Sequence, residues 1–217
     1  TVLRQALKEK VRPILFINKA DRLIKELKLT PQMMQERFIK IINELNELIV
    51  KVAPPEFKQK WQVNVADGSV CFGSAFSNWA LSVPYMKKKG LNFGTAIETY
   101  EKDDPEAVKE LAKKAPLHEV LLNSVVEHLP NPVDAQGYRI PMIWSGDDES
   151  SIGKSLKNCD PKGELGFVIT KITQDKHAGE VATGRMFSGT VKKGQEVVSG
   201  KGTKGRVQQV FISKGPQ

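Results

Sequence analysis

The fold is decided by the stretch Ile-Leu-Phe-Ile-Asn-Lys-Ala-Asp at residues 14–21, in which a short apolar run leads directly into polar residues. The run is rich in Ile and Phe and follows Pro13, which predicts a parallel strand buried on both faces. Open α/β sheets bind ligands just beyond the carboxyl ends of such strands. Asn18, Lys19 and Asp21 lie at that position, so the sequence predicts a ligand site there.

The spacing Asn-Lys-x-Asp is similar to the guanine-specificity motif of GTPases, and the chemistry of each residue fits that base. The carboxylate of Asp21 can accept hydrogen bonds from both guanine N1–H and the 2-amine, whereas adenine would leave the carboxylate unpaired. The Asn18 amide can bond to the N7 and O6 edge, and the stem of Lys19 can lie over the ring. The alternative is a polar turn after a strand, without a ligand.

A second motif, Ser74-Ala75, follows the apolar run Val70–Phe72, which predicts another buried strand. In GTPases a Ser-Ala dipeptide at this place brings a backbone N–H, here that of Ala75, close to guanine O6, where adenine would present an amine. The dipeptide is a weak signal alone, but its place after Asn-Lys-x-Asp favours GTP binding. Both residues are predicted to bind nucleotide, and the chain is predicted to hold no catalytic residue and no metal ligand.

Apolar periodicity predicts helices around the first strand. Residues 2–10 read as an amphipathic helix, and a second helix is predicted to begin with Thr30 as its N-cap and Pro31 as its first residue. The alternation at Trp61, Val63 and Val65 predicts a strand. The second helix carries an apolar stripe that favours packing on the sheet over a coiled coil. Its members are Met34, Phe38, Ile41, Leu45, Leu48 and Val52.

The last part of the chain is predicted to be a β domain. Pro116 opens the last predicted helix, and the Pro-Asn-Pro segment at residues 130–132 reads as a linker with a domain boundary near residue 131. Short strands with glycine turns follow, which is typical of a β-barrel. These strands are predicted at residues 167–172, 185–191, 195–199 and 206–212.

One lysine-containing loop is predicted not to bind phosphate. Gly153-Lys154-Ser155 is similar to the end of a Walker loop, but the pattern needs glycine where Asp148 stands. The neighbouring carboxylates of Asp147 and Glu149 would repel phosphate.

Composition places the chain among ordinary globular proteins, with 217 residues, 40% apolar and 27% charged. No apolar run has membrane-spanning length. Cys71 and Cys159 are the only cysteines, which argues against a disulfide scaffold or a cysteine metal site and favours a reducing cytoplasm. The net charge is +8, and residues 157–217 hold 11 basic residues against 5 acidic ones. This concentration favours a polyanionic partner such as RNA, and the alternative is a solvated basic surface.

With both motifs in place, the chain resembles translation elongation factor two, the family of ribosomal translocases, in its archaeal form. The insert at residues 85–114 is similar to the reduced form of that family's extra subdomain. The stretches that carry the resemblance are TVLRQAL (1–7), FINKADR (16–22), FGSAFSNWAL (72–81), NCDP (158–161) and GRMFSGTVKKGQEV (184–197).

The resemblance implies an α/β fold in which residues 1–130 form the C-terminal half of a P-loop-type GTPase domain, with a parallel sheet and flanking helices. Residues 131–217 are then expected to form an all-β translation-factor barrel, incomplete at its C-terminus. The chain is expected to be a piece of a longer protein, because the family's P-loop and switches would precede Thr1. The strands expected beside residues 14–17 would also precede it.

The implied function is GTP-dependent translocation of tRNA and mRNA on the ribosome. GTP or GDP is the expected ligand, with Mg²⁺ and GTPase activity in the full-length protein only. Expected partners are ribosomal RNA and proteins and the mRNA-tRNA complex, and the protein is expected to be a cytoplasmic monomer without membrane association. His118, His128 and His177 do not correspond to the family's modified histidine and are expected to lack a catalytic role. The alternatives are a non-hydrolysing RNA- or ribosome-binding module on a degenerate nucleotide fold, or another translational GTPase.

Overall fold

The stretch after Pro13 forms the first strand of a three-stranded sheet in the computed structural model, which describes residues 1–176 and 178–212. Strand β1 (Leu15–Ile17) pairs in parallel with β2 (Val70–Ser74), and β2 pairs antiparallel with β3 (Trp79–Leu81). The strand order is β1-β2-β3, so β2 lies in the centre and is buried along its whole length.

Strand β1 lies at an edge of this sheet, as far as the described residues show. Ile17 is buried, whereas Leu15 and Phe16 remain partly exposed. The prediction of a strand buried on both faces was therefore wrong for most of β1. Within the described residues β1 has a neighbouring strand on one side only, so solvent reaches its side chains from the open edge, although Leu15 and Phe16 still pack against the core.

Helices surround the sheet in the first part of the chain. They are α1 (Val2–Lys8), α2 (Ala20–Lys25), α3 (Pro31–Val52), α4 (Val83–Lys89), α5 (Phe93–Glu101), α6 (Pro105–Lys114) and α7 (Leu117–His128). The predicted insert at residues 85–114 consists mostly of α4, α5 and α6, which bury Tyr85, Tyr100 and Leu111 in the same core as the sheet.

Helix α3 begins as predicted. The Thr30 hydroxyl accepts a hydrogen bond from the N–H of Met33 at 3.3 Å, and Pro31 occupies the first helical position. The first four residues of the apolar stripe, from Met34 to Leu45, lie in or against the core that contains the sheet. The ring of Phe38 stacks on Phe72 of β2 with centroids 5.6 Å apart. This part of the stripe is therefore part of the core and not a coiled-coil seam.

The strand predicted from Trp61 to Val65 was wrong, because these residues form turns and irregular backbone. The Asn46 side chain on α3 bonds to both backbone groups of Val63, donating to the carbonyl at 3.0 Å and accepting from the N–H at 2.8 Å. A side-chain amide thus replaces the strand partner that the alternation implied. Trp61 is buried and stacks on Phe57 at 4.2 Å.

The chain divides into two compact units, Thr1–Pro130 and Asn131–Gln217. The prediction that the helix after Pro116 is the last one was wrong, because α8 (Pro132–Ile143) and α9 (Ser151–Lys157) follow α7. Asn131 caps α8 by accepting from the N–H of Asp134 at 3.0 Å, with Pro132 at the first helical position. The Pro-Asn-Pro segment predicted as a linker therefore starts a helix.

The strands of the second unit form two antiparallel hairpins. They are β4 (Gly166–Asp175) with β5 (Gly179–Ser188), and β6 (Glu196–Val198) with β7 (Lys204–Arg206). The first three strands predicted in this region are present with different ends. A strand over 206–212 was wrong, because pairing with β6 ends at Arg206 and no strand follows within the described residues. The hairpins form separate two-stranded sheets in the described part of the chain.

No helix in the described parts of the chain, residues 1–176 and 178–212, has both the length and the apolar character needed to cross a membrane.

Candidate nucleotide-binding site

Parallel pairing of β1 and β2 places the two sequence motifs beside each other. The register aligns Ile17 with Phe72, so both strands run to the same edge of the sheet. Asn18 directly follows β1, and Ser74 is the last residue of β2. The carboxyl ends of parallel strands are where open α/β sheets bind ligands.

Asn18 connects the two loops directly. Its side-chain oxygen Oδ1 accepts a hydrogen bond from the backbone N–H of Ala75 at 3.0 Å, although the residues lie 57 positions apart. The same oxygen accepts from the N–H of Lys19 at 2.8 Å. Within the described residues, the amide nitrogen of Asn18 makes no hydrogen bond. The sequence did not predict this contact. It holds the two loops together through Oδ1 and leaves Nδ2 able to donate to a ligand.

Lys19 and Asp21 lie at the start of α2. The backbone of Lys19 has φ 65° and ψ 31°, a left-handed conformation that costs a non-glycine residue about 1–2 kcal/mol. Such strain at a turn is characteristic of functional sites. Asp21 lies in the first turn of α2 and is partly buried, and its carboxylate has no hydrogen-bond or ion-pair partner in the described chain. Its acceptor capacity is therefore unused by the protein itself.

Ser74 shapes the second loop from within. It is 1% exposed, and its hydroxyl accepts from the N–H of Ser77 at 3.1 Å, which closes the turn around Ala75. Phe76, next to Ala75, is 94% exposed.

The Gly153-Lys154-Ser155 segment, read from the sequence as a loop, lies within helix α9, and lysines of this helix pair with carboxylates just before it. Lys157 Nζ lies 3.2 Å from the carboxylate of Asp148 and 2.9 Å from that of Glu149, and Lys154 Nζ lies 3.8 Å from Glu149. The hydrogen bond from Lys157 lowers the pKa of the Glu149 carboxyl. The ammonium groups of Lys154 and Lys157 are thus already paired with the carboxylates of Asp148 and Glu149.

The histidines of the first unit both lie on α7. His118 is exposed, and His128 is buried with its ring Nε2 2.9 Å from the carbonyl oxygen of Asp67, to which it donates. His177 lies outside the described residues.

Among residues 1–176 and 178–212, no group of three or more His, Cys, Asp or Glu side chains is arranged to hold a metal ion.

Comparison with known proteins identifies a GTP-binding domain in the first part of the chain. Residues 1–131 match the family model described as elongation factor Tu GTP binding domain, and residues 164–217 match that of elongation factor G domain 2. The chain is 63% identical over 219 residues to elongation factor 2 of Thermococcus kodakarensis, with all of this chain and 29% of that protein covered. It is 59% identical to elongation factor 2 of Pyrococcus abyssi and 58% identical to that of Methanocaldococcus jannaschii, over 218 residues each. All of this chain is covered in both comparisons, with 29% and 30% of those proteins. The chain thus spans about three tenths of the length of these curated relatives.

Proposed function

This chain belongs to the family of the elongation factor Tu GTP-binding domain, and from that premise we propose that its loops at residues 18–21 and 74–75 bind the guanine base of GTP or GDP. The observation that carries the proposal is the hydrogen bond from the Ala75 N–H to Asn18 Oδ1, which brings both motifs to one edge of the sheet. The unpaired carboxylate of Asp21 stands three residues after Asn18, at the start of α2.

Each residue has a distinct role in this proposal. Asp21 accepts hydrogen bonds from guanine N1–H and the 2-amine, because both lone-pair-bearing oxygens of its carboxylate are unused. The Nδ2 of Asn18 donates toward the N7 and O6 edge. The N–H of Ala75 turns from Asn18 Oδ1, or shares its hydrogen between the two oxygens, to donate to O6 when the base binds. The stem of Lys19 covers the ring face. Ser74 supports the site indirectly, by closing the turn that presents Ala75.

The longer protein is proposed to be a ribosomal translocase that moves tRNA and mRNA in a GTP-dependent reaction. The relatives named elongation factor 2 support this, since all of this chain is covered at 58–63% identity in the comparisons above. Residues 1–130 would form the C-terminal half of the GTP-binding domain, with an insert at 85–114, and 131–217 the second domain. Parts of the protein outside this chain would supply the phosphate and Mg²⁺ sites and the GTPase activity. The protein would act as a cytoplasmic monomer.

The ribosome is the proposed partner, and the second unit offers a basic surface for it. A cleft of about 680 Å³ between two loops of that unit is lined by Lys162, Lys192 and Lys193 together with neutral residues. Lysines at such a place suit the phosphates of ribosomal RNA. The same observation favours the second candidate, a non-hydrolysing RNA-binding module, in which the nucleotide fold is only a scaffold.

Nucleotide competition with the full-length protein separates these two functions. GDP should bind far more tightly than ADP, and inosine diphosphate, which lacks the 2-amine, should bind more weakly than GDP. Loss of a good base contact is worth about 1–3 kcal/mol, or roughly 5- to 150-fold. Equal affinity for GDP and ADP, with RNA binding retained, would identify the protein as the RNA-binding module.

A further inference from the structure

The insert contacts β3, the strand that follows the Ser-Ala loop, through a buried hydrogen bond. Trp79 follows that loop as the first residue of β3 and is fully buried, and its ring N–H donates to the hydroxyl of Tyr100 on α5 at 2.8 Å. Trp79 pairs with Ser74 across the β2–β3 hairpin, so it holds the base of the loop that carries Ala75. Gly73 allows this close pairing, because a Cβ there would collide with the Trp79 carbonyl oxygen.

The same part of the insert also contacts α2, the helix that begins at the first loop. Lys25, in the last turn of α2, lies with its Nζ 5.6 Å from the ring centroid of Tyr100. That Nζ is also 3.0 Å from the carboxylate of Asp103, just after α5. A cation above an aromatic face is attracted by the ring quadrupole. Tyr100 therefore touches an element from each of the two guanine-recognition loops, Trp79 through its hydroxyl and α2 through its ring.

These contacts link the two loops at two separate places. Asn18 Oδ1 joins the two loops at the site itself, and Tyr100 joins the elements that follow them, β3 and α2, on the side of the insert. A loop held at only one point can rotate about it, whereas two separate attachments define its position. Binding sites depend on such support, since displacements of about 1 Å weaken the geometry that recognises a ligand.

We propose that Tyr100 is a positioning residue of the guanine site, and that the insert keeps the Asn18 and Ala75 loops in register through it. The proposal rests on the proposed function, because it assigns the insert a part in guanine recognition. It predicts that loosening Tyr100 changes the site without any change to a group that touches the nucleotide.

The insert provides a matched control in Tyr85. This tyrosine is also buried, and its hydroxyl lies 3.1 Å from the carboxylate of Glu119 and 3.2 Å from the carbonyl oxygen of Lys114. Burial and the hydrogen bond to Glu119 raise the pKa of Tyr85 to about 12, so it is a neutral hydroxyl at pH 7. Its hydrogen-bond partners lie on α7 and at the end of α6, and neither partner is Trp79 or a residue of α2. Tyr85→Phe and Tyr100→Phe thus remove the same group from the same insert, with different partners.

Amide hydrogen exchange on the 217-residue chain, followed by NMR, tests the proposal without a ligand. Tyr100→Phe should speed exchange of the Ala75 amide about tenfold, because the loop opens more often. Tyr85→Phe should leave that amide within about twofold of wild type. Trp79→Phe should reproduce the effect of Tyr100→Phe, and the double variant should add little. Ala75 exchange that rises equally in both tyrosine variants, or in neither, would overturn the proposal.

A second measurement links the result to nucleotide binding and serves if Tyr100→Phe does not fold. In the full-length protein, Lys25→Gln with Asp103→Asn removes an exposed ion pair, and GDP should dissociate about threefold faster, with an unchanged melting temperature. An unchanged dissociation rate in this variant counts against the proposal. If the wild-type protein binds no guanine nucleotide, the proposed function fails, whereas the exchange experiment still decides whether Tyr100 positions the loop.

Discussion

Asn18 and Asp21 meet different demands at the scale of single residues. The side-chain oxygen of Asn18 accepts hydrogen bonds from the N–H groups of Lys19 and Ala75. Its side-chain NH₂ group is therefore the part that can donate to a ligand. The carboxylate of Asp21 makes no hydrogen bond within the described chain, so both of its oxygens can accept hydrogen bonds from a ligand. The Asn18 donor matches the O6 edge of guanine, which accepts hydrogen bonds. The two acceptors of Asp21 match the N1–H and 2-amine edge, which donates them. In the proposed function, specificity for guanine then depends mainly on Asp21.

Replacing Asp21 by Asn in the full-length protein should weaken GTP binding and favour xanthine nucleotides. The amide keeps one acceptor but presents an NH₂, which suits the 2-carbonyl of xanthine and opposes the 2-amine of guanine. The expected loss for GTP is about 1–3 kcal/mol, measured by competition with XTP. Glu26→Gln, which makes the same change from carboxylate to amide five residues later at the end of α2, should leave the preference unchanged. A preference for GTP over XTP that survives in the Asp21 variant would remove Asp21 from the role of base reader.

Secondary-structure elements in this chain are set by local signals where a cap or a stripe is clear. Helix α3 has both, with the Thr30 hydroxyl bonded to the N–H of Met33 and with Phe38 stacked on Phe72 of β2. The cap satisfies one of the backbone N–H groups that a helix start leaves unpaired. The stack fixes which face of the helix meets the sheet. The position of α3 therefore follows from a polar contact at its start and an apolar one along its length.

Thr30→Ala should destabilise the chain by about 1 kcal/mol, because the N–H of Met33 loses its acceptor. Chemical denaturation, with an unchanged slope and a lower midpoint, is the measurement. Thr30→Ser retains the oxygen and should stay close to wild type. If alanine and serine behave alike, the cap hydrogen bond contributes nothing to stability.

At the scale of the whole molecule, the 217-residue chain is expected to bind GDP weakly and not to hydrolyse GTP. Its sequence has no match to the Gly-x4-Gly-Lys-Ser/Thr loop that cradles phosphates, and the similar Gly153-Lys154-Ser155 segment has its lysine beside Glu149. Base contacts worth about 1–3 kcal/mol remain, far below the roughly 8 kcal/mol of micromolar affinity. Calorimetry with GDP and Mg²⁺ measures this, and a dissociation constant of 1 μM or less would place a phosphate site within this chain.

The second unit should contribute phosphate contacts when the full-length protein binds the ribosome. Neutralising Lys192, Lys193, Lys201 and Lys204 to Gln should weaken binding and reduce the slope of log affinity against log salt by about one for each lysine that contacts a phosphate. A control that neutralises Lys109 and Lys113, which already pair with glutamates on α6, should change the slope little. An unchanged slope in the fourfold variant would assign those lysines to solvated surface.

The amino-acid sequence by itself determined the features that depend on near neighbours. The cap at Thr30 and a buried strand beginning at Val70 are set by residues within a few positions of one another. Local patterns predicted both, although β2 extends two residues beyond the predicted Val70–Phe72. The Pro-Asn-Pro segment at 130–132 shows the limit of such patterns, because the same residues suit a linker and a helix start. The choice between them depended on whether the residues after Pro132 pack as a helix.

Only the tertiary structure decided which distant groups meet. The alternation at residues 61–65 implied a strand, but the Asn46 side chain took the hydrogen bonds of Val63. The Asn18–Ala75 bond and the contacts of Tyr100 join residues separated by tens of positions along the chain. The residue types alone indicated which base the site suits, since hydrogen-bonding capacity belongs to each side chain. Partner choice, in contrast, depends on the path of the backbone, which brings the ends of β1 and β2 and the insert together.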